Sequence, residues 1–332
     1  MNKALHSCLG VARETAVLAV LKQTATPTSL DKISKATGLP KASIFSTIEH
    51  LKELGYGIVS FHSGIRLEET PDRLYPCEIA AGLDTKLIGR AIHYFESVSS
   101  TMDYAFQYAN RGAPEGTLVV AEAQTKGRGR LGRTWYSPSY CGLYFSVILR
   151  PKLKLEKLGI ITLLSGVSVC EAIKKAVDIS VALKWPNDIL IDFKKVGGIL
   201  TEVHLPVQHM PVVVVGIGLN VNTPKSCLPS QAVSLRLFAK HNLKHLNRTL
   251  ILQEILRCLE KNYFLLGSKK ENLILEKWRT MNITLGEQVR IKTHFDILEA
   301  QAVDIDEDGG LLVRTAEGRL CKFVIGEIEM LR

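Results

Sequence analysis

Gln124-Thr125-Lys126-Gly127-Arg128-Gly129-Arg130-Leu131-Gly132-Arg133-Thr134-Trp135 is the stretch on which the fold class turns. Gly127, Gly129 and Gly132 satisfy the G-x-G-x-x-G spacing of a dinucleotide site, but such a turn must feed a helix that packs on a sheet. Here cations stand at 126, 128, 130 and 133, and the stretch runs on into Trp135-Tyr136-Ser137-Pro138, so it cannot bury itself. No Gly-Lys-Ser/Thr follows at the required spacing, which excludes a P-loop. A loop remains. Its glycines let backbone N–H groups approach an anion, and its arginine forks match carboxylates and phosphates. Without a ligand the four cations repel one another and find little to pack on, so the loop is expected to be disordered until an anion folds it. The plainer alternative is a solvated basic loop; three interleaved glycines and an aromatic exit favour binding.

Outward from this loop, strands and helices alternate from about residue 87. Apolar runs at 118–121, 143–149, 181–184, 189–192, 198–203 and 212–217 read as strands. Ile160, Leu164 and Val167 mark one helix, and Ile251, Ile255 and Leu259 another. With the dinucleotide and P-loop readings gone, this is an α+β or α/β domain large enough to hold a site. After about residue 285, alternating pairs such as Val289/Ile291 and Val303/Ile305, with turns at Asp308-Gly309 and Glu317-Gly318, predict a small SH3-like antiparallel barrel.

Toward the N-terminus, Val17, Val20 and Leu21 lie at helical spacing, and Thr28-Ser29-Leu30-Asp31 reads as a capping box opening a second helix. Ile44, Ile48 and Leu51 form the stripe of a third helix, ending near Gly55. Two short strands joined at Ser63-Gly64 complete a winged helix-turn-helix. Two prolines and several charges make the next segment a connector. The expected domains are therefore 1–67, a linker at 68–83, a catalytic domain at 84–282 and the small barrel at 283–332.

The 332 residues are 46% apolar and 23% charged, the profile of an ordinary folded chain. The longest apolar run, at 211–221, is strand-sized and broken by Gly216 and Gly218, so no membrane span is expected. Residues 1–3 are Met-Asn-Lys, but Arg13 and Glu14 interrupt any signal-like core, which leaves a helix of the mature protein. Seven cysteines without a C-x-x-C pair fit free thiols in a reducing, cytoplasmic compartment and no zinc site. A net charge of +9 admits an anionic partner without naming one.

Three further clusters are each weak alone: Lys184-Trp185-Pro186-Asn187-Asp188, Lys194-Lys195-Val196-Gly197-Gly198-Ile199-Leu200, and Gly216-Ile217-Gly218-Leu219-Asn220-Val221-Asn222. In series with the arginine–glycine loop they resemble biotin–protein ligases. With the N-terminal domain, they are similar to the bifunctional ligases that also repress the biotin operon, over essentially the whole chain. The resemblance implies a central mixed sheet of the biotin/lipoate ligase type with the small SH3-like domain beside it.

It also implies roles. Ser100, Thr101 and Gln124 resemble the biotin ureido contacts; Arg128, Gly129 and Arg130 look like the loop that closes on biotin and its adenylate, with Gly198 nearby. Lys195 corresponds to the lysine nearest the carboxylate and α-phosphate, and with Arg128 is the catalytic pair. Trp135 is placed like the aromatic on adenine, Arg133 like an ATP or adenylate contact, and Lys184, Asn187, Asp188 and Asn220 like nucleotide or metal contacts. The implied substrates are biotin and ATP with Mg²⁺, and no metal ligand is identifiable. The implied acceptor is the biotin carboxyl carrier protein of acetyl-CoA carboxylase. The reaction fits these residue types, because two anions must be joined and positioned cations offset their repulsion.

The family usually carries Asn after the Ser-Thr pair, where this chain has Met102. Operator DNA would be met by Lys41, Ser43, Ser46 and Thr47 of the third helix and Ser63 of the wing, from a ligand-promoted homodimer. Lys41 and Ser46 stand where many relatives have Arg and Lys, and lysine cannot make the bidentate guanine contact. A single-function ligase whose N-terminal domain binds no DNA, a non-catalytic biotin sensor and a lipoate ligase are the alternatives.

Overall fold

The computed structural model describes residues 8–205, 211–240, 245–268, 270–292 and 297–331. The opening residues 1–3 lie outside them.

Helices α1 (Cys8–Leu21), α2 (Leu30–Thr37) and α3 (Lys41–Glu53) and the hairpin β1 (Gly57–Phe61) and β2 (Gly64–Glu69) form the N-terminal unit. Val17, Leu18, Leu21, Ile33, Ile44, Ile48 and Leu51 close its core. The cap of α2 is Ser29, whose hydroxyl accepts from Lys32 N at 3.3 Å. The expected capping box is thus corrected: three residues beyond Ser29 stands Lys32, so no acid can return the bond. Thr28 instead pairs with Ile65, its N–H donating to that carbonyl at 2.8 Å. A Cβ at Gly64 would lie 2.4 Å from the Thr28 carbonyl oxygen, so only glycine allows the hairpin this close.

The expected connector at 68–83 is not a loose tether. It begins as the end of β2 and contains α4 (Pro76–Ala81), with its proline at the first helical position. Cys77 and Ile79 are buried. The Gln253 amide donates to the Glu78 and Ile79 carbonyls at 3.2 and 2.8 Å, fixing the segment to the central domain.

That domain runs β3 (Ile92–Val98), α5 (Thr101–Asn110), β4 (Leu118–Gln124), β5 (Gly142–Leu149), α6 (Ile160–Val177), β6 (Ala182–Lys184), β7 (Asp188–Ile191), β8 (Lys194–His204), β9 (Val212–Asn220), α7 (Arg248–Gly267) and α8 (Glu271–Met281). The sheet order is β3-β4-β5-β9-β8-β7-β6, mixed because β3 and β4 are parallel and the other pairs antiparallel. Both faces are covered, which is why β5 is apolar at nearly every position. Phe145, Val147 and Leu149 join the large core with α6 and α7, whereas Ile148 meets Met102 and Ala105 of α5.

The C-terminal unit is a five-stranded antiparallel sheet of SH3-like size in the order β13-β12-β11-β10-β14. Its strands are β10 (Gln288–Lys292), β11 (Ile297–Ile305), β12 (Leu311–Arg314), β13 (Leu320–Phe323) and β14 (Glu327–Met330). Trp185 pins it to the central sheet: the indole N–H donates to the Gly309 carbonyl at 3.1 Å, and the Trp185 backbone N–H to Thr284 Oγ1 at 2.9 Å.

Candidate active site

The C-terminal ends of β4 and β9 open beside the start of β8 and the N-terminus of α5. Register pairs Gly142 with Asn220, Gly198 with Gly218 and Asp188 with Gly198, so loops distant in sequence meet at one sheet end. Between them lies a cleft of about 370 Å³. It brings together Ser100, Thr101, Gln124, Arg128, Gly129, Arg130, Arg133, Trp135, Lys184, Asn187, Asp188, Lys195, Gly198 and Asn220.

One end is neutral and polar. Thr101 donates to Gln124 Oε1 through its backbone N–H at 2.9 Å and its hydroxyl at 3.2 Å, and the Gln124 amide donates to Ser137 Oγ at 2.9 Å. Ser146 Oγ donates to Thr101 Oγ1 at 2.9 Å. Ser100 is fully buried, yet its hydroxyl has no partner. An unsatisfied buried hydroxyl costs about 1–3 kcal/mol, which a ligand accepting or donating there would recover. Met102 packs on β9, where a Cβ at Gly216 would come within 2.6 Å of its sulfur. The position is apolar, with none of the polar contact an Asn would supply.

The other end is cationic. Lys195 Nζ lies 2.5 Å from Asp188 Oδ1 and 5.6 Å from the centroid of the Trp135 ring. That ring rests on bare β9 backbone at Gly218, and its N–H is buried without a partner. Asn187 accepts from Arg130 at 3.3 Å and donates to the Ile199 carbonyl at 2.8 Å. Asn220 donates to the Val233 carbonyl at 3.1 Å. Burial pushes both the Arg130 guanidinium and the Lys184 ammonium below their usual ranges, with Asp188 pulling each the other way. Cations already stripped of water are prepared for an anion.

The arginine–glycine loop spans the cleft. Arg128 and Thr134 form a backbone bridge, and Gly129 N–H donates to the Arg133 carbonyl at 2.7 Å. The expectation that its cations find little to pack on is corrected. Arg128 pairs with Asp103 at 2.9 Å and with Glu202, and Arg133 pairs with Glu327 of the C-terminal sheet. Arg128, expected in the catalytic pair, is half-exposed and held by two carboxylates, and Arg130 is the guanidinium the cleft partly buries. Sequence reasoning missed Asp103, Glu202 and Glu327. Only Asp103, two residues after Thr101, carried any local signal.

Of the expected DNA contacts, Lys41 is exposed and pairs with Asp31 at 2.6 Å, Ser46 and Ser63 are exposed, and Ser43 is half-buried. Thr47 is a correction. It lies on the buried side of α3, with its hydroxyl donating to the Ser43 carbonyl at 2.7 Å, so it cannot reach a groove. Among the described residues, no group of three or more His, Cys, Asp or Glu side chains could hold a metal ion. The six cysteines whose side chains are described are free, and no described helix is long and apolar enough to cross a membrane.

A mixed sheet with a cationic strap over its cleft, trailed by a small antiparallel sheet, defines a protein ligase of the biotin/lipoate type. Residues 94–220 match the biotin/lipoate A/B protein ligase family, 284–331 the biotin protein ligase C-terminal domain, and 10–56 the IclR helix-turn-helix domain. The chain is 38% identical to the bifunctional ligase/repressor BirA of Bacillus subtilis over 90% of its own length and 92% of the relative's. It is 30% identical to the biotin–[acetyl-CoA-carboxylase] ligase of Mycobacterium tuberculosis, covering 79% of this chain and 98% of that one. The biotin protein ligase of Aquifex aeolicus, solved with biotin and ATP, superposes with a TM-score of 0.62 at 33% identity, covering 73% of this chain and 99% of that one. The chain belongs to the biotin protein ligase family and has the domain set of its bifunctional ligase/repressor members.

Proposed function

We propose that the chain joins biotin and ATP in this cleft as biotinyl-5'-AMP, releasing pyrophosphate. It then transfers biotin to a lysine of the biotin carboxyl carrier protein of acetyl-CoA carboxylase. One observation carries this reading. A single cleft has an unpartnered Ser100 hydroxyl at its neutral end and Arg130 and Lys195 at its cationic end, with the strap across both.

In this account Ser100, Thr101 and Gln124 hold the ureido ring. The biotin carboxylate points toward Lys195 and Arg130, which offset its repulsion from the α-phosphate. Arg128, pinned by Asp103 and Glu202, holds the strap closed with Gly129, while Trp135 stacks on adenine beside Arg133, Lys184, Asn187, Asp188 and Asn220. The strap keeps water from the mixed anhydride until the acceptor lysine attacks the acyl carbon and AMP leaves.

The donor set suits Mg²⁺ only as a companion of ATP, since Asp188 and Glu327 are the carboxylates at the cleft and neither builds an all-protein cage. Asp188 would hold the ion together with the phosphates, where it supplies charge neutralisation.

On this reading the chain works in the cytoplasm, where ATP and the carrier protein are at hand. The winged helix then makes the adenylate-loaded chain a repressor. Ligand-promoted dimers place two copies of α3 in successive major grooves of operator DNA. Incubation with ATP, labelled biotin and purified carrier domain should label the carrier's acceptor lysine, with no label when that lysine is replaced. An unlabelled intact carrier would refute the ligase reading. Adenylate-dependent, salt-sensitive binding to the promoter of the biotin genes tests the repressor half.

A further inference from the structure

Phe45 stands on the outward face of α3 and is 52% exposed. Successive helical residues turn by about 100°. Ala42, Phe45, Ser46 and Glu49 therefore share one stripe, opposite the stripe of Ile44, Thr47, Ile48 and Leu51 that is buried. An aromatic ring at the middle of such an outward stripe does nothing for the core of its own domain.

The chemistry of the stripe is unusual for a helix that reads DNA. It holds no arginine, so the fork that recognises guanine O6 and N7 is missing. The cations on the flanks are engaged within the domain, Lys41 with Asp31 at 2.6 Å and Lys52 with Glu49 at 2.8 Å. The Ser46 hydroxyl donates to the Ser43 carbonyl at 3.0 Å. Glu49, an acceptor only, would face the two acceptors of a guanine unfavourably. What the stripe offers freely is the Ala42 methyl and the Phe45 ring. In the major groove one base edge presents an apolar group, the C5 methyl of thymine.

We propose that Phe45 is a specificity-determining residue that reads thymine by packing its ring on 5-methyl groups, so the half-site is chosen by methyls and not by guanine contacts. This rests on the reading that α3 enters the major groove, and the test separates the two. The adenylate-loaded full chain is used to select bound duplexes from a random pool. Each selected thymine is then replaced by uracil, which removes the methyl and keeps every hydrogen-bonding group.

One or two positions per half-site should weaken about fourfold each, the worth of one buried methyl group. Phe45→Ala, which alters no core contact, should melt like the parent and bind the thymine and uracil duplexes equally. Unchanged affinity at every uracil position, or a thymine preference that survives Phe45→Ala, overturns the proposal and leaves DNA binding standing. If no duplex is enriched, the DNA-binding reading falls and the proposal with it. A change of oligomeric state on Phe45→Ala would then assign the ring to a protein contact.

Discussion

Replacing Gly218 by alanine places a methyl group where the Trp135 indole lies. The added Cβ would be 2.5 Å from both Cε2 and Nε1 and 3.0 Å from Cδ1. Carbon atoms rest at about 3.5–4.0 Å, so the ring has to retreat by about 1 Å. Gly218 is not among the glycines of positive φ, so alanine brings no backbone strain, and the effect is confined to the ring. Behind Gly218 the sheet is continuous, with β5 and β8 on either side of β9, so the ring has room only on the cleft side. Base–aromatic stacking is worth about 1–3 kcal/mol, and a ~1 Å misfit forfeits a quarter to a half of a contact's well. The expected loss is therefore about 0.25–1.5 kcal/mol, roughly a 1.5- to 12-fold rise in KM for ATP. Pyrophosphate exchange over a range of ATP concentrations reads it, and calorimetric titration of biotin should change less. In a Trp135→Ala background the same substitution should have little further effect, because the two residues act through one contact. An unchanged KM for ATP, or an equal loss in the Trp135→Ala background, refutes the placement of the indole.

Other substitutions probe the cleft and its support. Lys195→Ala should cost about 3 kcal/mol of barrier, roughly a hundredfold in exchange rate. Its pair with Asp188 is partly exposed, so the melting temperature should hardly move; retained exchange would remove Lys195 from the chemistry. Arg130→Ala should weaken biotin binding or shorten adenylate retention, measured by filter binding and release of labelled adenylate, and unchanged values for both would count against the strap. Arg248→Met leaves the buried Glu122 carboxylate, 2.6 Å from the guanidinium, without its cation and also removes the bond to Asp72. Breaking such a buried pair typically costs about 3–5 kcal/mol, so the urea transition of the central domain should fall markedly, and a loss under 1 kcal/mol would contradict the burial.

The parts of the fold legible in the sequence are those whose apolar positions repeat cleanly. The stripe Ile44, Ile48, Leu51 announced α3, and the apolar runs announced β4, β5 and β9. Strand β3 escaped because His93-Tyr94-Phe95-Glu96 lies on a half-buried edge with no alternation of polarity. Helix α5 escaped because its core stripe is Met102, Ala105 and Ala109, two of them small. The six-residue α4 is too short to show a period, and its proline read as a break when it starts the helix. For the site, residue types close in sequence to the glycines were found. The carboxylates that hold the strap were not, since Glu202 and Glu327 come from β8 and β14 and no local spacing reveals that approach. Thr47 was misread for a related reason. It was counted with the groove contacts of α3, but its phase on the helix puts it inward.

Pyrophosphate exchange into ATP, with each candidate acid added alone, tests the central claim most directly. Exchange that appears with biotin, is absent with lipoate and is lost in Lys195→Ala is the predicted result. Exchange independent of biotin, or supported by lipoate in its place, would contradict the account.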